Sequence, residues 1–329
     1  MQRVAITQDD IERAASLLRS GGLVALPTET VYGLGADASD PAALARLYAA
    51  KGRPADHPVI VHLAGVEQLG GWVAEVPDAA RRLAARWWPG PLTLVLRRAP
   101  GVLDAVTAGR DSVAVRVPDQ LLTLEVLRRA GIGIAAPSAN RFGAVSPTTA
   151  AHVRAGLGDD VDLILDGGPC RVGVESTIVD LTDPARPLLL REGAVSATEL
   201  ETELGVPLAH DRGPSRAPGM LAAHYAPRAR VELARDADDL AARARRGLAA
   251  GLRVGTLAPQ DAGDSPEGAL PLGRLRDAKA YARELYALLR MADDLGLELV
   301  VALPPSPEGV GAAVRDRLTR AAAGSATTD

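Results

Sequence analysis

Leu23-Val24-Ala25-Leu26-Pro27-Thr28-Glu29-Thr30-Val31-Tyr32-Gly33-Leu34-Gly35 is the stretch around which the rest of the chain is organised. Its first five residues are an apolar run of strand length that stops at Pro27. Thr28 to Thr30 then bring two hydroxyls and a carboxylate into what reads as a loop. Gly33 and Gly35 mark backbone that turns tightly or passes close to a ligand. Asp40-Pro41 opens a helix, with Asp40 as N-cap and Pro41 in the first helical position. That helix runs through Tyr48 and delivers Lys51-Gly52-Arg53 at its far end. Lys51 is singular in composition. Of 37 basic residues only Lys51 and Lys279 are lysine, so a compact point charge is wanted there.

Working outward, Ile11, Ala14, Ala15 and Leu18 share one face of a helix over 9–20 that Gly21-Gly22 ends. Downstream, strands are expected at 59–63, 92–96, 113–117, 132–135, 163–165, 177–181 and 188–190, with helices at 79–88 and 121–129. The last two strands, joined by Thr182-Asp183-Pro184, read as an antiparallel hairpin. Ser196-Ala197-Thr198-Glu199 is a capping box that starts one more helix. Residues 1–205 are thus expected to form a mixed α/β sheet domain. Residues 206–230 carry repeated Pro and Gly without helical or strand period, and read as a linker or lid. From 231 to 329 strands at 254–257 and 297–303 alternate with helices at 237–250, 277–292 and 307–322, a smaller Rossmann-like α/β domain.

A length of 329 residues suits two domains. The single cysteine, Cys170, excludes an intramolecular disulfide and any multi-cysteine zinc site. A net charge of −4 gives no global pull toward nucleic acid or anionic membrane. Met1-Gln2-Arg3-Val4 lacks the apolar core of a signal peptide, and no apolar run approaches the ~20 residues of a membrane span. The expected location is cytoplasmic, with no membrane partner.

The familiar nucleotide signatures are missing. Neither lysine follows a glycine, so there is no phosphate loop. Gly131-Ile132-Gly133-Ile134-Ala135-Ala136 mimics a dinucleotide fingerprint, but Pro137 follows at once. His57 and His62 stand outside any metalloprotease motif, and Ser138 is not in a nucleophile elbow. What remains is a set of hydroxyls and cations at strand ends. Arg116 lies inside the apolar strand Val113–Val117, where a charge must be paired or face a site. Ser138 and Asn140, Ser146, Glu175-Ser176-Thr177 and Arg191 add to it. Cations and hydroxyls converging on one sheet edge suggest a polyanionic ligand such as a nucleoside triphosphate.

Taken together, Pro27–Leu34, Lys51-x-Arg53, Trp88-Pro89-Gly90-Pro91-Leu92-Thr93, Ser138-x-Asn140, Asp166-Gly167-Gly168 and Glu175–Asp180 resemble the YrdC/Sua5 family. Ala217-Pro218-Gly219-Met220 and His224-Tyr225-Ala226-Pro227 look like its long, two-domain Sua5 form. The likeness covers 8–230 by motif and 231–329 by architecture. It implies a twisted mixed-sheet catalytic domain and the synthesis of L-threonylcarbamoyladenylate and pyrophosphate from L-threonine, bicarbonate and ATP. That is a nucleotidyltransferase reaction, with Mg2+ accompanying ATP and no organic cofactor. The product is passed to a tRNA threonylcarbamoyl-transfer complex for t6A modification, and direct tRNA contact is left open. By the same resemblance Lys51, Arg53, Ser138 and Asn140 form the catalytic set. Thr30, His62, Arg116, the Ala136 backbone and Ser176 would hold threonine, with a bidentate Arg116 grip on its carboxylate. The ATP side would be lined by Lys51, Arg53, His57, Ser112, Ser138, Asn140, Ser146 and Arg191, and closed by Tyr225. No protein metal ligand is implied. Family members usually carry Asn where His57 stands, and the basic residue often found within 221–223 is absent.

Two other readings fit less well. A non-catalytic RNA-binding module would need a basic, aromatic-interleaved surface, against a net charge of −4 and 3% aromatics. A hydrogenase-maturation carbamoyltransferase would need paired-cysteine zinc motifs, which one cysteine cannot supply.

Overall fold

The computed structural model describes residues 6–54, 56–210 and 225–325. Their contacts separate two units. Unit 1 holds the described residues up to Phe142, then Pro147–Arg171 and those from Glu175 to 210. Unit 2 holds Gly143–Ser146, Val172–Val174 and the described residues from Tyr225 on.

Unit 1 is built on β1 (Val24–Leu26), β2 (Gly33–Asp37), β3 (Ile60–His62), β4 (Leu92–Arg97), β5 (Ser112–Arg116), β6 (Ile134–Ala135), β7 (Leu163–Ile164), β8 (Thr177–Asp180), β9 (Leu188–Arg191) and β10 (Ala209–His210). Its helices are α1 (Gln8–Arg19), α2 (Pro41–Lys51), α3 (Asp78–Trp87), α4 (Asp104–Thr107), α5 (Leu121–Ala130), α6 (Ala150–Leu157) and α7 (Ala197–Leu204). The strands join in the order β10-β9-β8-β4-β5-β3-β6-β2-β1-β7. Pairing is mixed: β3 runs parallel to β5 and antiparallel to β6, and β8–β9 is the antiparallel hairpin expected from sequence.

The punctuation of α2 is as its sequence dictates. Asp40 accepts the Ala42 amide at 2.8 Å, Pro41 opens the helix, and Gly52 ends it in the left-handed region at φ +60°. One correction concerns Gly33 and Gly35. They lie in strand β2, not in a tight turn, and no ligand approach is needed to explain them. A Cβ at Gly35 would sit 3.0 Å from Ile134 Cγ2 and 3.1 Å from the Val24 carbonyl oxygen, so glycine lets neighbouring strands close in. Helix α6 and strand β10 were also not expected. Thr149 caps α6 through the His152 amide, and β10 pairs with β9 inside the stretch read as linker.

The central strands bury two faces of different kinds. Val61, Leu94, Leu96, Val113, Val115 and Val179 belong to the main hydrophobic core. On the opposite face, Ile60, Val95, Ala114, Ile178 and Leu190 form a small separate apolar cluster. Alternation along each strand produces this division, and the second face is the one that carries the site.

Unit 2 contains β11 (Arg230–Leu233), β12 (Val254–Pro259), β13 (Leu270–Leu275) and β14 (Leu299–Ala302), with α8 (Ala237–Ala249), α9 (Ala278–Asp294) and α10 (Gly311–Ser325). Its sheet, ordered β11-β14-β12-β13, is parallel throughout. Strand β13 was missed in the sequence because Pro271 and Gly273 interrupt it. It is an edge strand, where proline is tolerated.

Between β9 and α7, Gly193 packs so tightly that a Cβ would lie 2.2 Å from the Thr177 amide nitrogen and 2.6 Å from the Ser176 carbonyl carbon. Backbone on both sides cannot yield cheaply. Gly193→Ala is expected to cost about 1–3 kcal/mol, the usual price of overpacking, read as a lower urea midpoint. An unchanged midpoint would show that this segment is free to shift.

Candidate active site

Strand pairing places His62, Ser112, Arg116 and Ser176, among the sequence-derived residues, on one face of unit 1. Ile60 pairs with Ala114 and His62 with Arg116 across β3 and β5. Val95 pairs with Ala114 across β4 and β5, and Thr93 with Ile178 across β4 and β8. The apolar cluster is thus a floor, with His62, Arg116, Thr93 and Ser176 beyond one end and Ser112 at the other. Ser112 and Arg116 are four residues apart in one strand, roughly 13 Å at the usual rise.

Arg116 is the centre of the first end. Its Nη2 donates to Glu29 Oε1 at 2.6 Å and its Nε to the Gly90 carbonyl at 3.1 Å. The pair is almost dry, with side-chain exposures of 4% and 1%. Glu29 Oε2 also accepts the Asp119 amide at 3.1 Å. The N–H of Nε and one N–H of Nη2 are held by protein, and the bidentate grip expected from sequence would use the second N–H of Nη2 together with Nη1. Glu29 was missed as a site residue, although it lies inside the quoted motif and a buried guanidinium calls for a carboxylate.

His62 is buried beside Arg116, and its Nδ1 has no hydrogen-bond partner among the described residues. Burial first, and then the Arg116 charge, lower its pKa to about 3. It is a neutral imidazole with an unused polar atom. Thr28 Oγ1 lies 2.8 Å from Thr30 Oγ1 and donates to the Val31 carbonyl at 2.6 Å, which fixes the hydroxyl-bearing loop. Ser176 Oγ lies 2.8 Å from Thr93 Oγ1, another missed residue, and accepts from Arg191 Nη2 at 3.0 Å. Arg191 Nε also donates to the Ser176 carbonyl at 3.0 Å. The Ala136 amide donates to the Ile60 carbonyl at 3.0 Å, so that stretch continues the sheet edge.

Lys51 is buried, and its Nζ donates to the Ser138 and Asn140 carbonyls, each at 2.5 Å. Burial, with Arg53 adding repulsion, holds its pKa well below the usual lysine value. The ammonium thus ties the loop that follows β6 to the end of α2, while Ser138 bridges antiparallel to Gly33 at the start of β2. Arg53 donates to the Pro58 carbonyl at 3.0 Å and sits 5.7 Å from the Phe142 ring centroid. His57 packs on the same ring at 5.4 Å, and burial followed by Arg53 lowers its pKa. Phe142 is a third residue that sequence reasoning missed. Ser146 and Tyr225 belong to unit 2, where Tyr225 stacks on Tyr286 at 5.7 Å and carries the Arg317 guanidinium at 5.3 Å. The linker residues Ala217–His224 lie outside the described residues.

Cys170 is buried, and burial with the Glu29 charge pushes its thiol up to about 12. A thiol so poorly ionised is no nucleophile. Among the described residues no three His, Cys, Asp or Glu side chains cluster as a metal site, and no helix is long and apolar enough to cross a membrane. Among the described residues the site offers hydrogen-bond donors and fixed charge, and its one thiol is not a nucleophile.

Two outcomes follow from these environments. Glu29→Ala leaves a buried guanidinium without its carboxylate and is expected to cost about 3–5 kcal/mol. Adding Arg116→Met should recover part of that loss in urea denaturation, and strict additivity would contradict the pairing. His62 should remain neutral from about pH 5 to 8, giving a flat imidazole C2–H NMR titration. Its folded pKa of about 3 lies below the ordinary histidine value of 6.5. Its contribution to stability is therefore present above 6.5 and lost as pH falls toward 3. An inflection near the ordinary histidine value would overturn this placement.

Residues 16–193 match the Sua5/YciO/YrdC family, described as "Telomere recombination", and residues 195–323 match "Threonylcarbamoyl-AMP synthase, C-terminal domain". The chain is 41% identical to a threonylcarbamoyl-AMP synthase of Pyrococcus abyssi over 97% of its own length and 96% of the relative's. It is 40% identical to that of Bacillus subtilis over 95% and 93%. Among solved structures, P. abyssi Sua5 complexed with L-threonine superposes with a TM-score of 0.90 at 40% identity, covering 98% of this chain and 97% of that one. The paired-strand site and both matched regions lead to one assignment: the chain belongs to the two-domain, Sua5-type threonylcarbamoyl-AMP synthase family.

Proposed function

We infer that the chain makes threonylcarbamoyl-AMP and pyrophosphate from L-threonine, bicarbonate and ATP. The observation that carries this reading is the register pairing of Arg116 with the neutral His62, whose Nδ1 has no hydrogen-bond partner among the described residues, at one end of an apolar sheet floor. A small amino acid with a carboxylate and a hydroxyl matches that end. Arg116 attracts the carboxylate, and His62, Thr30, Ser176 and the Ala136 backbone offer hydrogen bonds to hydroxyl and amine. The methyl group rests on the apolar floor. At the other end Lys51, Arg53, His57, Ser112, Ser138 and Asn140 supply fixed positive charge and donors for the nucleotide, and Arg191 would add its charge from beside Ser176. The assignment of Ser146 and Tyr225 to the nucleotide rests on the family motif alone.

The chemistry divides into two bond-forming steps. The threonine nitrogen, having lost a proton to solvent, bonds to the carbon of carbon dioxide formed by dehydration of bicarbonate, and releases a second proton to leave the carbamate. A carbamate oxygen then bonds to the α-phosphorus as the bond to the bridging oxygen breaks and pyrophosphate leaves. Neither step needs a protein nucleophile. Both depend on holding two small groups in reacting geometry and on stabilising negative charge with preorganised donors. Mg2+ is proposed to enter with ATP, whose phosphate oxygens are its natural hard ligands and whose charge it offsets. The setting is proposed to be cytoplasmic, with the product handed to a complex that transfers threonylcarbamoyl to tRNA.

Pyrophosphate release should require L-threonine and bicarbonate together with ATP and Mg2+. Undiminished release with threonine omitted would refute this reaction. Arg116→Ala should weaken threonine binding by about 2–5 kcal/mol and ATP binding much less. Calorimetry with unchanged threonine affinity would remove Arg116 from the threonine end.

A further inference from the structure

Unit 2 has a sheet of the kind that binds ligands, and the reaction inferred above uses none of it. All four strands are parallel, in the order β11-β14-β12-β13. After β12 the chain turns to β13 on one side, and after β14 it enters α10, which packs against β11 on the other. The chain thus leaves β12 and β14, which are neighbours, in opposite directions. In open parallel sheets such a switch point opens a crevice beyond the carboxyl ends of the strands.

A crevice of about 590 Å³ lies there. Its wall is drawn from the residues that follow three strands: Pro259 and Asp261 after β12, Arg276 and Asp277 after β13, and Pro305 and Ser306 after β14. Tyr281, its hydroxyl donating to the Leu303 carbonyl at 3.2 Å, also lines it. A second recess of about 220 Å³ shares Leu275 and Arg276 with the first. Arg274, Arg276 and Arg283 line it, with Glu284 as the single carboxylate. In a chain of net charge −4 this is a local excess of cations.

These arginines are not used up by the protein. Arg276–Asp277 at 3.3 Å and Arg283–Glu284 at 3.4 Å are solvent-exposed pairs of neighbouring residues, a type that contributes little. Arg274 Nη2 donates to Ser265 Oγ at 3.2 Å, while its Nη1 is buried with no hydrogen-bond partner among the described residues. A buried guanidinium nitrogen in that condition calls for an acceptor. In the smaller recess Arg276 and Arg283, held only by exposed pairs, would receive a phosphate. The larger crevice then offers Asp261, Asp277 and Ser306 to hydroxyl or amino groups, with Pro259, Pro305 and Tyr281 as apolar walls.

We propose that unit 2 carries a second ligand site, at the carboxyl edge of its parallel sheet, for a nucleoside monophosphate with its phosphate against Arg276 and Arg283. This site stands apart from the catalytic reading and does not depend on it.

The test is calorimetric titration of the full-length chain with AMP, alongside an Arg276→Glu/Arg283→Glu variant and an Arg245→Glu control. The two substituted arginines are largely solvent-exposed and have no part in the catalytic face, so folding and pyrophosphate release should be retained. Arg245 is exposed on α8, outside the crevice. Two sites per chain are expected in the parent and the control. In the double variant one of them should weaken at least about tenfold, as the loss of a charged hydrogen bond implies. Ribose 5-phosphate should compete at this site, and inorganic phosphate should compete less well. The proposal is overturned if one site is found in all three chains, if the double variant binds like the parent, or if Arg245→Glu weakens binding equally. Equal competition by inorganic phosphate would reduce the site to a bare anion hole and overturn the nucleotide assignment.

Discussion

A buried ion pair sets the terms for the rest of unit 1. Arg116 and Glu29 meet at 2.6 Å with almost no solvent. A pair of this kind is costly to desolvate, and either partner alone is costlier still. Glu29 must therefore be brought to the end of β5 whenever the sheet forms. The arrangement fixes the Thr28–Thr30 loop over the strand ends, and Asp119, through its amide, ties the start of the next segment to the same carboxylate. Lys51 performs a related task on the other side of the loop. Its ammonium is held by two backbone carbonyls, so Ser138 and Asn140 are positioned by main chain before any ligand arrives. The site is preorganised because its charged side chains are already held by the fold, Arg116 by a carboxylate and Lys51, Arg53 and Arg191 by backbone carbonyls.

This preorganisation suits a reaction without a covalent intermediate. A neutral His62, a paired Arg116 and a cysteine pushed far from ionisation leave no strong base or nucleophile on the sheet face. What they leave is shape and direction: an apolar floor about one strand long, with hydrogen-bonding groups at both ends. Joining an amino-acid nitrogen, a one-carbon unit and a nucleotide phosphorus is a problem of alignment, and alignment can supply a large share of a rate enhancement.

Much of this was legible in the sequence where local chemistry decides local structure. Asp40-Pro41 and Gly52 bracket α2, and Ser196 with Glu199 caps α7, as their residue types require. Arg116 inside an apolar strand announced a charged partner or a site. The partner itself was not legible, because Glu29 is 87 residues away and only the sheet order brings the two together. The same holds for Thr93 and Ser176, 83 residues apart. Strand β2 was hidden for a different reason. Gly33-Leu34-Gly35-Ala36 has few of the β-branched residues that signal a strand, since close neighbours such as Ala136 Cβ leave no room for them. In β13, Pro271 and Gly273 conceal an edge strand that tertiary pairing stabilises. Long-range pairing, and not local propensity, decided each of these cases.

The central claim is that the Arg116 end of the sheet face holds the amino acid while its nitrogen acquires a carbon and then a phosphorus. The most direct measurement supplies 15N-threonine, 13C-bicarbonate and ATP, and follows the carbamoyl carbon by NMR. The expected result is a 13C resonance split by 15N that appears together with pyrophosphate and is lost in Arg116→Ala. Pyrophosphate accumulating with no 13C–15N bond, or a coupled product undiminished in Arg116→Ala, would contradict it.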